Sequence, residues 1–263
     1  MFETLTDIWK ERKLIIVLSQ ADFKKKFVGS YLGIFWMFVQ PIISILIYYL
    51  VFQVGFKTNP VDDMPYVLWL MPGIFPWFFF NEALQGGVLT LSSYQYLVKK
   101  IVFKVDILPM VKIVSSLFLH LIFLYINIFV YLLWGEYPSI WWLQSIYYLF
   151  CNLTLIIGLV YLTAAINVFV KDMSQIVNIC LQFGFWLAPI MWDESIMPDM
   201  LRPFLKINPF TYIVNGFRDS FVFHIGFWER PVNTAYFWGI SMLILLSGVK
   251  LYKRMEPHFA DML

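Results

Sequence analysis

The fold is decided by residues 21–41, which read ADFKKKFVGSYLGIFWMFVQP. Three adjacent lysines, Lys24, Lys25 and Lys26, are followed by an uncharged stretch that continues to residue 56. About 20 apolar residues are enough to cross a bilayer as a helix, and basic residues beside such a helix favour its cytoplasmic side. This junction therefore predicts a first membrane span that is preceded by a cytoplasmic segment.

The composition indicates an integral membrane protein. Of its 263 residues, 60% are hydrophobic and 14% are charged, whereas about 25% of an ordinary soluble domain is charged. Cys151 and Cys180 both lie in apolar stretches, which argues against a disulfide framework. No cysteine or histidine cluster has the spacing of a metal site. No cleavable signal peptide is visible, since the apolar run at residues 14–18 is short. We expect membrane lipids as partners, and no nucleic acid.

Long apolar stretches with basic residues beside them recur along the chain. They predict one all-α membrane domain with six spans and both termini in the cytoplasm. The spans are predicted at residues 31–54, 66–91, 107–134, 142–170, 173–192 and 232–249. Residues 1–30 and 250–263 are then cytoplasmic. The distribution of lysine and arginine supports this layout, because only a minority of these residues falls outside the predicted cytoplasmic pieces. The exceptions are Lys57, Arg202, Lys206, Arg218 and Arg230.

Two segments outside the spans have a pattern of their own. Residues 1–20 predict an amphipathic interfacial helix, in which Thr4 and Asp7 fit a capping box and Trp9 suits the headgroup layer; a solvated helix is the alternative. Residues 193–230 contain two apolar pieces, 201–207 and 210–223, that are too short to cross. We predict that they form a re-entrant helical hairpin, which dips in from the extracytoplasmic side and turns at Asn208-Pro209.

The second span carries the clearest intramembrane polar group. Glu82 is its one acidic residue, and Asn81 and Gln85 lie near it on the helix. An ionisable group inside a membrane is a functional candidate. An interfacial or helix-packing role is the alternative, because the sequence shows no cationic partner. Pro72 and Pro76 are predicted to break or bend the start of this span.

Residues 92–106 predict a cytoplasmic contact with another protein. They carry several lysines, and apolar residues recur at every fourth position, as in a short amphipathic helix that presses into a partner's groove. A plain basic loop is the alternative. The chain contains no Gly-Lys dipeptide and so no phosphate-binding loop of the G-x-x-x-x-G-K type. We therefore expect a transport subunit that is driven by a separate protein.

The sequence resembles the permease subunits of polysaccharide ABC exporters, which move teichoic acids, O-antigens and capsular polymers. Short pieces in a specific order carry the resemblance. They are Asp22-Phe23-Lys24, Gly29-Ser30-Tyr31-Leu32-Gly33 with Trp36 and Pro41, Gly73-Ile74-Phe75-Pro76-Trp77, Val98-Lys99-Lys100, Ile107-Leu108-Pro109, Val170-Lys171-Asp172, Trp186-Leu187-Ala188-Pro189-Ile190, Asn208-Pro209-Phe210 with Arg218, and Pro257-His258-Phe259-Ala260-Asp261. The chain departs from the family at Ala21 and Lys171, where arginine is usual, and at residues 104–106, where a Phe-Pro pair is common.

The resemblance implies a homodimer in the cell membrane that works with two copies of an ATPase subunit. ATP and magnesium would bind that partner, so this chain would carry no cofactor and would not be an enzyme. Closure of the ATPases would be transmitted through the N-terminal helix and residues 92–106. The coupling residues are predicted to be Tyr94, Tyr96, Leu97, Lys99, Lys100, Ile101 and Phe103. The cargo would be a polysaccharide on a polyprenyl-diphosphate lipid, with teichoic acid preferred over O-antigen and capsule.

The aromatic content of 20% suggests a path for sugar, because ring faces pack on the apolar faces of sugars. The candidate path residues are Trp36, Phe75, Trp77, Phe78, Trp186, Trp192 and Tyr212. Lipid-facing or interfacial aromatics are the alternative for each of them. Lys24, Lys25 and Lys26 are candidates for contact with the lipid diphosphate, or they serve only as orientation anchors.

Three other functions fit parts of the pattern. A membrane enzyme that acts on a lipid-linked sugar would need a compact polar site, to which only Asn81, Glu82 and Gln85 point. An ion-coupled carrier would show paired broken helices in two matching halves, and no such symmetry is visible. A drug or lipid exporter of the same superfamily differs from the polymer exporter only by the resemblance.

Overall fold

The structure is a computed structural model, which describes residues 2–26, 28, 31–57, 64–100 and 103–263. For residues 2–5 it describes the backbone alone. Several residues used above lie outside the described part. They are Phe27, Gly29, Ser30 and Ile101, together with the side chain of Thr4 in the predicted capping box.

The described residues form helices and turns and contain no strand, as the all-α prediction requires. The α-helices are α1 (Phe2–Lys10), α2 (Arg12–Lys25), α3 (Trp36–Tyr48), α4 (Tyr66–Val88), α5 (Thr90–Ser93), α6 (Gln95–Val98), α7 (Ile107–Leu133), α8 (Gln144–Phe169), α9 (Met173–Leu187), α10 (Arg202–Leu205), α11 (Pro209–Arg218), α12 (Pro231–Met255) and α13 (Phe259–Met262). Short 3₁₀ turns precede α3 and α8, and π-helical turns follow α3 and α11.

The helices run between two faces of a bundle. On one face the Ser19 hydroxyl of α2 donates to the carbonyl of Val111, and the Tyr252 hydroxyl of α12 donates to the carbonyl of Val105, each at 3.0 Å. We call this the termini face, because it joins α2, the start of α7 and the end of α12. On the opposite face the Tyr66 hydroxyl donates to the carbonyl of Met191 at 2.5 Å, which joins the start of α4 to the segment after α9.

Five helical stretches among the described residues are long and apolar enough to cross a membrane. They are Gly33–Gly55 (hereafter the first span), Tyr66–Val88, Ile107–Leu133, Ile140–Phe169 and Pro231–Met262. The remaining predicted span coincides with α9, which has 15 residues and is therefore about 22 Å long. That is less than the ~30 Å hydrocarbon core of a bilayer. The sixth crossing therefore stays a prediction.

Helix α4 is the centre of the bundle. It packs against α7, α8, α9 and α11, and 78% of its most apolar stretch is buried. Small residues permit these close contacts. For example, a Cβ atom on Gly87 would lie only 2.6 Å from the side chain of Val160 on α8.

Pro72 and Pro76 do not break the second span, because α4 is one continuous helix through both prolines; the bend, predicted as the alternative, stays a prediction. Pro72 has no N–H to donate to the carbonyl of Leu68. The Tyr131 hydroxyl of α7 donates to that carbonyl instead, at 2.7 Å. Near the second proline, the side-chain amide of Asn152 on α8 donates to the Pro76 carbonyl at 3.1 Å. Neighbouring helices thus supply hydrogen bonds that keep the helix intact inside the bundle.

The N-terminal segment consists of two helices rather than the one predicted over residues 1–20, with the division at Glu11. Trp9 is 70% exposed, and the Arg12 guanidinium lies 5.0 Å from its ring centroid. Ile15 is buried in a small cluster with Ile107 and Val111 of α7. Thus α2 packs on the bundle while Trp9 is exposed, and the interfacial position of this segment stays a prediction.

Residues 193–230 contain two short helices, α10 and α11, close to the predicted pieces and joined near Asn208. The Asn208 side chain accepts a hydrogen bond from the N–H of Phe210 at 3.0 Å and caps α11. Helix α11 packs against α4 and α8, and Phe210, Ile213 and Phe217 are buried there. A helix pair is therefore present, while its entry into the bilayer stays a prediction.

Candidate functional site

A cavity of about 480 Å³ lies between the first span and α4. It brings together a lysine of the basic run 24–26, aromatic residues of the predicted sugar path and the intramembrane polar residues of α4. The predicted residues that line it are Lys26, Trp36, Trp77, Phe78, Asn81 and Glu82. Its volume is that of an ordinary small-molecule pocket, and we call it the span cavity.

Glu82 has a cationic partner that the sequence did not reveal. The Lys26 ammonium nitrogen lies 2.6 Å from the Glu82 Oε1 atom, and the two side chains are 28% and 38% exposed. This ion pair joins the residue that follows α2 to the C-terminal third of α4. The partners are 56 positions apart in the chain, so no local spacing could have indicated the pair.

The other polar residues of this region are arranged differently. The Asn81 side-chain oxygen accepts a hydrogen bond from the Gln85 side-chain nitrogen at 3.0 Å, one helical turn away. Asn81 lines the span cavity with Glu82, and Gln85 is not among the lining residues. Of the three basic residues at 24–26, only Lys26 lines the cavity, whereas Lys24 and Lys25 are exposed at the end of α2.

Three predicted path residues line the span cavity, Trp36 on the first span and Trp77 and Phe78 on α4. Trp36 is 51% exposed, and Trp77 is 6% exposed. The Trp77 ring is fixed by contacts with Phe185 on α9 and Phe210 on α11, at centroid distances of 5.5 and 5.0 Å. One wall of the cavity is therefore rigid and the other, on the first span, is open.

Four other predicted path residues lie elsewhere. Phe75 belongs to the core, where it stacks on Phe123 at a centroid distance of 5.2 Å and is 4% exposed. Trp186 is exposed near the end of α9, and Trp192 is half-buried in the segment that follows. Tyr212 lines a different cavity at the opposite face. The structure thus does not gather all seven aromatic residues into one path.

The predicted coupling segment forms two four-residue helices, α5 and α6, instead of a single amphipathic helix. Tyr94 separates them, because its φ of −114° is not helical. Leu97 and Phe103 pack on the apolar cluster around Tyr252 and Phe259. Tyr96, Lys99 and Lys100 are exposed. The segment is therefore anchored to the bundle by one set of side chains and presents another set outwards.

Asp22 connects this segment to the N-terminal helices, and the sequence indicates no role for it beyond the resemblance. Its Oδ1 atom accepts hydrogen bonds from the Tyr94 hydroxyl at 2.9 Å and from the Lys112 ammonium at 2.5 Å. The side chain is 5% exposed. Burial raises the pKa of the Asp22 carboxyl, but the hydrogen bond and charge of Lys112 outweigh it, so the pKa lies below its ordinary value.

Two further ion pairs complete a network on the termini face. Lys104 lies 2.6 Å from Asp7 of α1, and its hydrogen bond lowers the pKa of the Asp7 carboxyl. Lys253 of α12 pairs with Asp106. The N-terminal helices, residues 94–112 and the end of α12 are therefore tied together by charged side chains.

Arg218 joins several elements of the bundle on the opposite face, and the sequence indicates no role for it beyond the resemblance. It is 3% exposed. Its guanidinium lies 3.3 Å from the centroid of the Trp69 ring and donates to the carbonyls of Pro189 and Ile190 at 2.5 Å and of Trp69 at 3.3 Å. It therefore fixes α11 to α4 and to the segment after α9. The signal that the sequence offers for this role is the presence of an arginine within the predicted apolar piece 210–223.

Comparison with known proteins agrees with this architecture. The chain is 25% identical over 265 residues to the O-antigen export system permease protein RfbA of Myxococcus xanthus, and the match covers 99% of both chains. It is 23% identical over 252 residues to the protein of the same name from Klebsiella pneumoniae, with 95% of both chains covered. The sequence profile of the ABC-2 type transporter family matches residues 13–222. The chain therefore belongs to the ABC-2 type transporter family.

Proposed function

We propose that this protein is the membrane subunit of an ABC exporter for a polysaccharide carried on a polyprenyl-diphosphate lipid. The observation that carries the proposal is the span cavity, in which the rings of Trp36, Trp77 and Phe78 are combined with the Lys26–Glu82 pair. Aromatic faces suit the apolar faces of sugars, and an ammonium group suits a phosphate. The relatives reported above are named for O-antigen export, so we place that polymer ahead of teichoic acid as the cargo.

We assign the termini face to the cytoplasm. Lys24, Lys25 and Lys26 lie there beside the first span, and Lys99, Lys100 and Lys104 lie there beside α7. Basic residues close to span ends are retained on the cytoplasmic side. Both termini are then cytoplasmic, and the helix pair α10–α11 is extracytoplasmic.

In this orientation Lys26 stands where a lipid diphosphate would enter the span cavity from the cytoplasmic surface. The pair with Glu82 is partly exposed, so a diphosphate can compete with the carboxylate for the ammonium group at modest cost. Lys24 and Lys25 lie outside the cavity and attract the anionic headgroup or anchor the chain's orientation.

The energy for transport would come from two copies of a separate ATPase, which binds ATP and magnesium. The exposed residues Tyr96, Lys99 and Lys100 form the contact surface for it. Movement of this surface would reach the span cavity through Tyr94 and Asp22, because Asp22 lies four residues before Lys26 on the same stretch of chain.

A homodimer would close the open side of the span cavity. Only 11% of the most apolar stretch of the first span is buried within the chain. A second copy that packs against this surface would enclose the cavity between two subunits, which suits a polymer too large for one chain to surround.

The test is ATP hydrolysis by the chain copurified with its ATPase in proteoliposomes. We expect stimulation by a polyprenyl-diphosphate-linked O-antigen glycan that exceeds stimulation by a lipid-linked teichoic acid or by the lipid without sugar. Trp36→Ala should weaken that stimulation. Trp134→Ala is the matched control, because Trp134 is 62% exposed and lies at the other end of the bundle. Movement of cargo in nucleotide-free vesicles would contradict the proposal.

A further inference from the structure

We infer that a second cavity, at the opposite face, binds a neutral saccharide unit. This cavity, which we call the exit cavity, has a volume of about 390 Å³ and lies between α11, α12 and the segment that precedes α10. It shares no lining residue with the span cavity. The inference depends on the proposed function for the class of ligand, a sugar, and it adds a site that cargo would meet after crossing the membrane.

The charges that line this exit cavity balance one another. Glu194 and Asp219 are negative, and Lys206 and Arg230 are positive. The Arg230 guanidinium pairs with Asp219 at 3.1 Å, and the Asn215 side chain donates to Glu194 at 2.6 Å. A site for phosphate would carry a positive excess, and a site for an amine a negative one. The balance therefore favours a neutral ligand.

The polar groups suit hydroxyls in particular. A sugar hydroxyl both donates and accepts a hydrogen bond, and this cavity offers carboxylate, carboxamide and ammonium groups side by side. The side chains of Asn233 and Lys206 line the cavity and have no hydrogen-bond partner among the described residues. They are therefore available to a ligand, whereas the other charged groups are already held in place.

An aromatic platform at the rim completes the site. The Tyr236 hydroxyl donates to the carbonyl of Ile207 at 2.8 Å, and the side chain is 41% exposed. This bond fixes the ring before a ligand arrives, so little conformational entropy is lost on binding. A flat ring of fixed orientation beside unpaired polar side chains is suited to one face of a sugar.

The experiment measures saccharide binding to the purified full chain in nanodiscs by saturation-transfer NMR. The probes are maltotriose, mannotriose and chitotriose, with inorganic phosphate as the charged comparison. We expect binding of at least one trisaccharide that phosphate does not displace. Asn233→Leu should weaken it about fivefold, the effect of one lost hydrogen bond, and Tyr236→Leu should weaken it at least as much.

Tyr137→Leu is the matched control, because Tyr137 is an 84% exposed tyrosine in the α7–α8 turn and does not line the cavity. It should bind like the unmodified chain. Failure of all three trisaccharides to bind, displacement by phosphate, or binding that survives both cavity substitutions would overturn the inference. If no trisaccharide binds but the chain copurified with its ATPase still couples ATP hydrolysis to lipid-linked glycan, the proposed function stands and only the exit cavity is overturned. If that coupling is absent while saccharide binding persists, the proposed function is contradicted instead.

Discussion

The first span and α4 are both apolar, both 23 residues long, and both contain proline. Their surroundings differ: 78% of the most apolar stretch of α4 is buried, against 11% for the first span, although the first span is the more apolar of the two. The span cavity lies between them, so one of its walls is fixed by the core and the other is open to lipid or a partner. Burial in this protein follows helix packing and not hydrophobicity.

The largest effect should come from Arg218→Met, which removes the side chain that fixes α4 to its neighbours on the opposite face. Three buried carbonyls would each lose a hydrogen-bond donor, and we expect the free energy of unfolding to fall by about 3 kcal/mol or more. Denaturation of the purified protein in mixed micelles measures it. Ile43→Ala in the first span, where the side chain is 48% exposed, should change stability little. Equal losses in the two variants would contradict the contrast between the helices.

Tyr131→Phe should have the next largest effect. It leaves the Leu68 carbonyl, freed by Pro72, without its donor, and an unpaired buried carbonyl costs about 1–3 kcal/mol. Tyr125→Phe on the same helix is the control, since Tyr125 is 70% exposed. If the two variants denature alike, the hydroxyl of Tyr131 does not sustain α4 through its prolines.

Acid should loosen the helix that leads into the first span. The folded pKa of Asp22 lies below the ordinary value of 3.8, so the ionised carboxyl stabilises the fold at neutral pH. This contribution is complete above about pH 4–5, declines as pH falls through 3.8 and is lost below the folded pKa. Unfolding free energies between pH 6 and 3 should therefore decline less steeply for Asp22→Asn. Asp261→Asn, an exposed aspartate, should keep the steeper decline, and parallel curves would exclude Asp22 as the cause.

The smallest effect on stability should come from Lys26→Gln, which breaks the ion pair between the end of α2 and Glu82 of α4. The pair is partly exposed, so the loss should stay below about 1 kcal/mol. ATP hydrolysis stimulated by lipid-linked glycan should nevertheless fall markedly, while Lys250→Gln, exposed on α12 and outside the cavity, should leave it near the original rate. A large loss of stability, or unchanged stimulation, would argue against a cargo-binding role for Lys26.

Much of the site chemistry could be proposed from the sequence, although its assembly could not. Trp36, Trp77, Phe78 and Glu82 were identified from residue type and position within apolar stretches. The partner of Glu82 was missed, and Phe75 was grouped with the path although it lies in the core. The first error concerns a contact between distant residues, and the second concerns which side of a helix faces its neighbours.

The sequence by itself determined the helical membrane class, the approximate bounds of five long apolar helices and the concentration of cations on one face. Each depends on local composition, because about 20 apolar residues and their basic neighbours decide insertion without reference to other helices. Only the tertiary structure decided that α4 is central, that Arg218 is buried, and that Lys26 meets Glu82. Lipid is as apolar as the interior of a bundle, so hydrophobicity cannot distinguish a helix that faces lipid from one that faces protein.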